Sequence, residues 1–296
     1  MVQTKDSQII PNFVFRRDLN IGSAAAENDE EFLKHCFVDT GVKSLIMDHS
    51  NKKCVLVGRV GSGKSAILKR IEDEAERCIR INPTEFSLLY LDRSNIIQII
   101  NNLGLKIEPL LEALWQHVLC VEYIKLRYML TNPDKYKRFW NRLVQSVFAD
   151  EAKKAALEYF NEWGGGDFWE TTEARVTELT KKISTQLSAK LGTDLFSKLE
   201  ASGASQNSFS DEEKVIIENQ LKSVIGGSHL HKLHKVMDIL SNDQNTGKPI
   251  EHFILIDDLD GRFLEGGGNY SLVAALFESI KRLRAISCLR ACIESS

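Results

Sequence analysis

The stretch Cys54-Val55-Leu56-Val57-Gly58-Arg59-Val60-Gly61-Ser62-Gly63-Lys64-Ser65 decides the reading of this chain. A short apolar run, bounded by a glycine, fits a buried parallel strand. From Gly58 to Ser65 the residues match G-x-x-x-x-G-K-[ST] without a mismatch. After Lys64 the pattern turns helical to about Cys78, with Ile67, Leu68 and Ile71 on one face. Each position of the loop has a physical reason. Glycines let the backbone take φ values closed to other residues and wrap an anion closely. The inward N–H groups make a nest, and the helix that follows adds its positive dipole end. Lys64 offers a point charge to the β and γ oxygens of a triphosphate, and Ser65 a hydroxyl to Mg²⁺. The alternative is a glycine-rich turn that binds nothing; the strand before and the helix after argue against it.

The second decisive stretch is His252-Phe253-Ile254-Leu255-Ile256-Asp257-Asp258, an apolar run that ends in two carboxylates. The chemistry asks for this strand beside the phosphate-loop strand, so that Asp257 reaches Mg²⁺, through a water because that ion dehydrates reluctantly. Asp258 is then placed to orient or deprotonate an attacking water, with Asp260 as the alternative. Read alone, the run could be a strand followed by a turn.

Between these motifs the signals are helical. Leu111, Leu114, Trp115 and Val118 share helical spacing, as do Val176, Leu179, Ile183, Leu187 and Leu191 before Gly192. Ser210 and Glu213 make a capping box for a helix running to Ile225. Further strands are expected at Phe86–Leu91 and Ile286–Ile293, a helix at Ser271–Arg284, and a short helix at Glu30–Phe37. Strands separated by helices predict an α/β fold with a parallel sheet. The domain plan is an N-terminal arm over 1–29, a first part of the phosphate-loop domain over 30–93, an α-helical insertion over 94–248, and a second part over 249–296.

Composition bounds the function. The chain has 296 residues, 43% hydrophobic and 27% charged, with a formal net charge of -3. That is ordinary for a globular protein and gives no global electrostatic case for nucleic acid. No apolar run reaches the ~18 residues that span a bilayer. Met1–Asn20 lacks the apolar segment of a secretory signal. The six cysteines are scattered without a C-x-x-C pair, which reads as buried thiols of a reducing, cytoplasmic compartment. Asn132-Pro133-Asp134-Lys135 is not the guanine-reading N-K-x-D, and Ser223–Ser228 is not the ABC signature. His229, His231 and His234 lie close together, but a solvated helix start explains them better than a metal site. Lys135–Arg142, with Tyr136, Phe139 and Trp140, mixes cations and aromatics, and an ordinary amphipathic helix accounts for it.

Val57–Ser65 together with Ile256-Asp257-Asp258-Leu259-Asp260 resembles the KAP and AAA-like branch of P-loop ATPases. Phe32-Leu33-Lys34-His35-Cys36-Phe37-Val38-Asp39, ahead of the loop, is similar to a poorly characterised bacterial family near that branch, some of whose members sit in anti-phage defence systems. The resemblance implies a P-loop sheet with a large helical insertion and a strand between the phosphate-loop strand and the acidic strand. It implies ATP and Mg²⁺ as ligands: Gly58, Arg59, Val60, Gly61, Ser62, Gly63, Lys64 and Ser65 around the phosphates, Ser65 and Asp257 on the metal, and Lys64 and Asp258 in catalysis. A polar sensor residue, a fifth strand and an arginine-finger region are also implied. Against that pattern the chain reads as shortened after Ile286–Ile293, which sets ATP hydrolysis against a non-hydrolysing, nucleotide-gated switch. The helical insertion is the expected surface for a protein partner or for homo-oligomer assembly.

Overall fold

In the computed structural model, residues 37–48, 50, 51, 53–59, 61–81, 94–130, 134, 135, 137, 138, 141, 151–163, 172–201, 208–226, 230–242, 251–257, 259, 270–283 and 289–295 are described. The chain divides into two compact units, Met1–Val38 and Asp39–Ser296.

Four strands form the sheet of the second unit: β1 (Val55–Val57), β2 (Arg77–Ile81), β3 (His252–Ile256) and β4 (Leu289–Ser295). Their order is β1-β4-β3-β2 and every pairing is parallel. The acidic strand β3 is therefore not beside β1, as the chemistry alone suggested; β4 lies between them. Parallel neighbours need crossover connections, and here helices supply them. Helix α1 (Val42–Met47) precedes β1, and α2 (Lys64–Glu74) joins β1 to β2. Between β2 and β3 come α3 (Asn95–Asn102), α4 (Glu108–Arg127), α5 (Glu151–Trp163), α6 (Thr172–Leu191), α7 (Thr193–Ala201), α8 (Asp211–Val224) and α9 (Leu230–Asn242). Helix α10 (Tyr270–Leu283) joins β3 to β4.

Two further expectations change. The helix after the loop stops at Glu74 rather than near Cys78, and Arg77–Ile81 is a strand. Ala75 turns extended at the helix end, and the next residues pair in register with β3, Arg77 with His252 through Ile81 with Ile256. Sheet pairing thus overrides the local helical pattern. The last strand starts at Leu289 and runs to Ser295, later than Ile286–Ile293. Phe86–Leu91 and Glu30–Cys36 lie outside the described residues.

Local signals are obeyed elsewhere. Ser210 Oγ accepts from the Glu213 amide at 3.2 Å, while the Glu213 carboxylate accepts from the Ser210 amide at 2.9 Å. That reciprocal pair satisfies two amides that the first turn of α8 leaves open. Gly192 takes φ 78 and separates α6 from α7.

The insertion shares the core of the sheet. Helix α4 is buried on nearly every side, with Leu110, Leu114, Trp115, Val118 and Ile124 inside and the polar Gln116, His117 and Glu122 buried among them. Trp115 Nε1 donates to the Leu272 carbonyl of α10 at 2.9 Å. On the sheet side, the Tyr123 ring meets His252 of β3 edge-on, with centroids 5.4 Å apart. One continuous apolar cluster runs from α2 through β2 and β3 to α4, α5, α6, α9 and α10. A smaller one joins α3, α7 and α8 around Ile99, Leu199 and Ile217.

Candidate functional site

The loop begins where β1 ends. Gly58 follows Val57 directly, and α2 starts at Lys64 with Gly63 as its N-cap. Gly61 has φ 76 and Gly63 φ 84. Both angles lie in the left-handed region, where a Cβ meets the following carbonyl. The loop also closes tightly on itself: a Cβ added to Gly58 would sit 2.7 Å from Ser62 Oγ. The Ser62 amide donates to the Arg59 carbonyl at 3.1 Å, which fixes the turn. Val60 lies outside the described residues.

Lys64 is the buried charge of this loop, only 6% exposed. Its Nζ donates to the Gly58 carbonyl at 2.8 Å and the Arg59 carbonyl at 3.2 Å. A buried ammonium is costly without partners, and here the curled loop supplies carbonyl oxygens. The lysine therefore points back over the loop instead of out to solvent.

At β3 every residue from His252 to Ile256 is buried, and Asp257 follows at 9% exposure. The Asp257 amide donates to the Ile81 carbonyl at 3.2 Å, so the ladder with β2 persists past the end of the strand. The Asp257 carboxylate forms an ion pair with Arg80 of β2. Asp258 and Asp260 lie outside the described residues.

The sheet brings loop and carboxylate to the same edge. Val55, Ile293 and Ile256 share one row across β1, β4 and β3. All strands point the same way, so the loop and Asp257 both emerge at the C-terminal edge. Two strand spacings separate them, about 10 Å between backbones. Side chains alternate in strands, which puts Asp257 on the face of Leu255 and Leu56, opposite Ile256. Right-handed crossovers put α2 and α10 on opposite faces, because β1 connects toward β2 while β3 connects back toward β4. Helix α4 and α10 cover the His252 face, which leaves Asp257 on the face of α2, the helix that starts with Lys64 and Ser65. In parallel sheets, ligands are held outside the C-terminal strand ends where connections leave in opposite directions, as they do here.

This set of groups fits a polyphosphate with a divalent cation. It offers a glycine loop at a helix N-terminus, a buried lysine within the loop, and a hydroxyl and a carboxylate on one sheet face. Ser65 and Asp257 are the residues that could hold the metal. Among the described residues no group of three or more His, Cys, Asp or Glu could hold a metal ion by itself. In the histidine run, His234 Nε2 lies 2.9 Å from Gln116 Oε1 of α4, and burial, with Arg282 second, holds its pKa below the usual value.

Sequence reasoning missed Arg80. Its signal was the short run Arg77-Cys78-Ile79-Arg80-Ile81, closed by the turn-favouring residue types Asn82 and Pro83, which the helical reading to about Cys78 overlapped.

Comparison with protein-family models, with curated proteins and with solved structures finds no match for this chain. Among the described residues no helix is long and apolar enough to cross a membrane.

Proposed function

We propose that this chain is a P-loop ATPase: it binds ATP with Mg²⁺ at the C-terminal edge of the sheet and hydrolyses the β–γ bond. The observation that carries this reading is the pairing of a buried Lys64, held by the carbonyls of its own glycine loop, with an acidic residue at the same sheet edge. In this reading the amides of the loop from Gly58 to Ser65 cradle the phosphates. Lys64 moves its charge from the loop carbonyls to the β and γ oxygens. Ser65 and Asp257 hold the metal, and Asp258 orients the water for in-line attack. Bound Mg²⁺ supplies charge neutralisation on the transferred phosphoryl group. The motifs at Val57–Ser65 and Ile256–Asp260 support placement in the KAP and AAA-like branch, and the likeness of Phe32–Asp39 to a bacterial family with members in anti-phage systems supports a role in defence.

Phosphate release from Mg·ATP by the purified chain tests this directly. Turnover in the starting protein, lost in Asp258→Asn with nucleotide binding retained, supports the ATPase. No turnover at saturating Mg·ATP contradicts it.

A second reading, a nucleotide-gated switch with little turnover, has an observation in its favour. Arg77, on the strand that also carries Arg80, donates to the Leu126 carbonyl at 3.3 Å and to the Arg127 carbonyl at the end of α4. In this reading β2, which carries both arginines, is the element that links Asp257 to the helical insertion. Tight Mg·ATP binding without phosphate release, with altered protease protection of the insertion, is the result that selects the switch.

A further inference from the structure

Arg77 and Arg80 lie on opposite faces of β2 and do different work. Arg77 faces α4 and satisfies carbonyls at its C-terminus, where a cation also complements the helix dipole. Arg80 faces the other way. It is paired in register with Leu255, one step behind Asp257 on the same face of β3. Its guanidinium engages Asp257 Oδ2. The two side chains are 22% and 12% exposed, so solvent screens the pair less than it would at the surface. The ladder continues past β3 through the Asp257 amide and the Ile81 carbonyl. The geometry of the pair is thus set by the sheet and not by a loop.

We propose that Arg80 is a positioning residue that competes with the divalent cation for the Asp257 carboxylate, so that loading Mg·ATP requires the guanidinium to leave Oδ2. This inference rests on the reading of the site as an Mg·ATP site. The physical case is one of charge and valence. Mg²⁺ keeps several of its waters and is held by only one or two carboxylates, directly or through such a water, so each carboxylate oxygen turned toward it counts. A guanidinium on the same carboxylate takes lone pairs from one of its oxygens and adds a positive charge next to the incoming ion. Two cations a few ångströms apart repel strongly when water is partly excluded. Arg80 also gives Asp257 a partner when no metal is there, which avoids an uncompensated carboxylate at the sheet edge. The cost is a higher Mg²⁺ concentration for loading. The site is thereby tuned to fill only when nucleotide and metal arrive together, since nucleotide brings further oxygen ligands and negative charge.

The test is the Mg²⁺ dependence of nucleotide binding by the whole chain, read as the rise in melting temperature at a fixed, saturating ATP concentration. Arg80→Gln is expected to lower the Mg²⁺ concentration at half-maximal shift by about tenfold, the effect of removing one charge-pair interaction. Binding of ATP alone, in the presence of a chelator, stays unchanged. Arg80→Lys keeps a charge but loses the planar fork, and is expected to fall between the two; it also serves should Arg80→Gln not fold. A midpoint that is unchanged or raised in either folded variant overturns the proposal, because Arg80 would then be neutral toward the metal or would assist it. A loss of ATP binding without metal also overturns it, since Arg80 would then be a phosphate contact. Lys64→Ala separates this failure from that of the underlying reading. If Mg·ATP stabilises the starting chain and Lys64→Ala abolishes that effect, only the Arg80 assignment is at stake. If Mg·ATP does not stabilise the starting chain at all, the ATP site and the Arg80 assignment fall together.

Discussion

Strands β1 and β3 end in the two motifs that define the candidate site, yet they sit in opposite surroundings. β3 is buried along its whole length, backed by α4 and flanked by β2 and β4. β1 has three residues, lies at the edge of the sheet order, and exposes Val55 by 41% and Val57 by 70%. The carboxylate thus follows a fully buried strand, while the glycine loop springs from a short strand that is largely exposed. The division suits the chemistry. A metal ligand must keep a fixed position, whereas a loop that wraps a phosphate has to exchange lysine–carbonyl contacts for lysine–phosphate ones.

Substitutions can break this contrast. Ile254→Ala, in the fully buried centre of β3, should destabilise the chain by about 2–5 kcal/mol, the range for large-to-small core changes, read by urea denaturation. A loss under 1 kcal/mol would show that β3 is not the core strand described. Gly63→Ala comes next. The residue must keep φ 84 to start α2, and left-handed backbone costs a residue with a Cβ roughly 1–2 kcal/mol. Urea denaturation measures it, and an unchanged midpoint would mean that the loop relaxes freely. Val57→Ala, on the exposed strand, should stay within about 0.5 kcal/mol. If Val57→Ala cost as much as Ile254→Ala, the two strands would be equally buried and the contrast would fail.

The smallest effect is a pH dependence on the helical side that backs β3. His234 on α9 bonds Gln116 of α4. Burial first, and then Arg282, hold its pKa below the ordinary 6.5, with His231 acting in the same direction and Asp238 in the opposite one. The folded chain therefore prefers the neutral ring, and the unfolded chain binds the proton more readily. By linkage, stability from this group is full above the unfolded pKa and is lost as pH falls from about 6.5. Urea midpoints at pH 7.5 and 5.5 should converge in His234→Asn relative to the starting chain. Equal pH sensitivity in both would remove His234 from the account.

The parts of this molecule that were legible in sequence are those set by neighbours along the chain. The glycine loop and the start of α2 at Lys64, the apolar run of β3 ending at Asp257, the capping box at Ser210 and Glu213, and the stop at Gly192 all follow local rules. What could not be read depends on partners far away. Arg77–Ile81 carries two charges that break an apolar run, and it becomes a strand because β3 offers it a ladder. The place of β4 between β1 and β3 is a matter of topology, to which no local pattern of β1 or β3 points; the family resemblance alone implied a strand there. Helix α4 showed one apolar face, through Leu111, Leu114, Trp115 and Val118. Its other sides are buried too, with Gln116 and His117 meeting partners from α9 and α5, His117 Nδ1 lying 2.6 Å from the Tyr159 hydroxyl. The ion pair between Arg80 and Asp257 follows from the β2–β3 register, and so stayed hidden along with β2.

The central claim is that Lys64 and its loop form a binding site for Mg·ATP. Calorimetric titration of Mg·ATP into the starting chain and into Lys64→Ala tests it most directly. The account predicts saturable one-to-one binding by the starting chain, weakened at least about tenfold in Lys64→Ala, the loss of roughly 1.4 kcal/mol or more of phosphate interaction. Equal affinity in the two proteins, or no saturable binding to the starting chain, would contradict it.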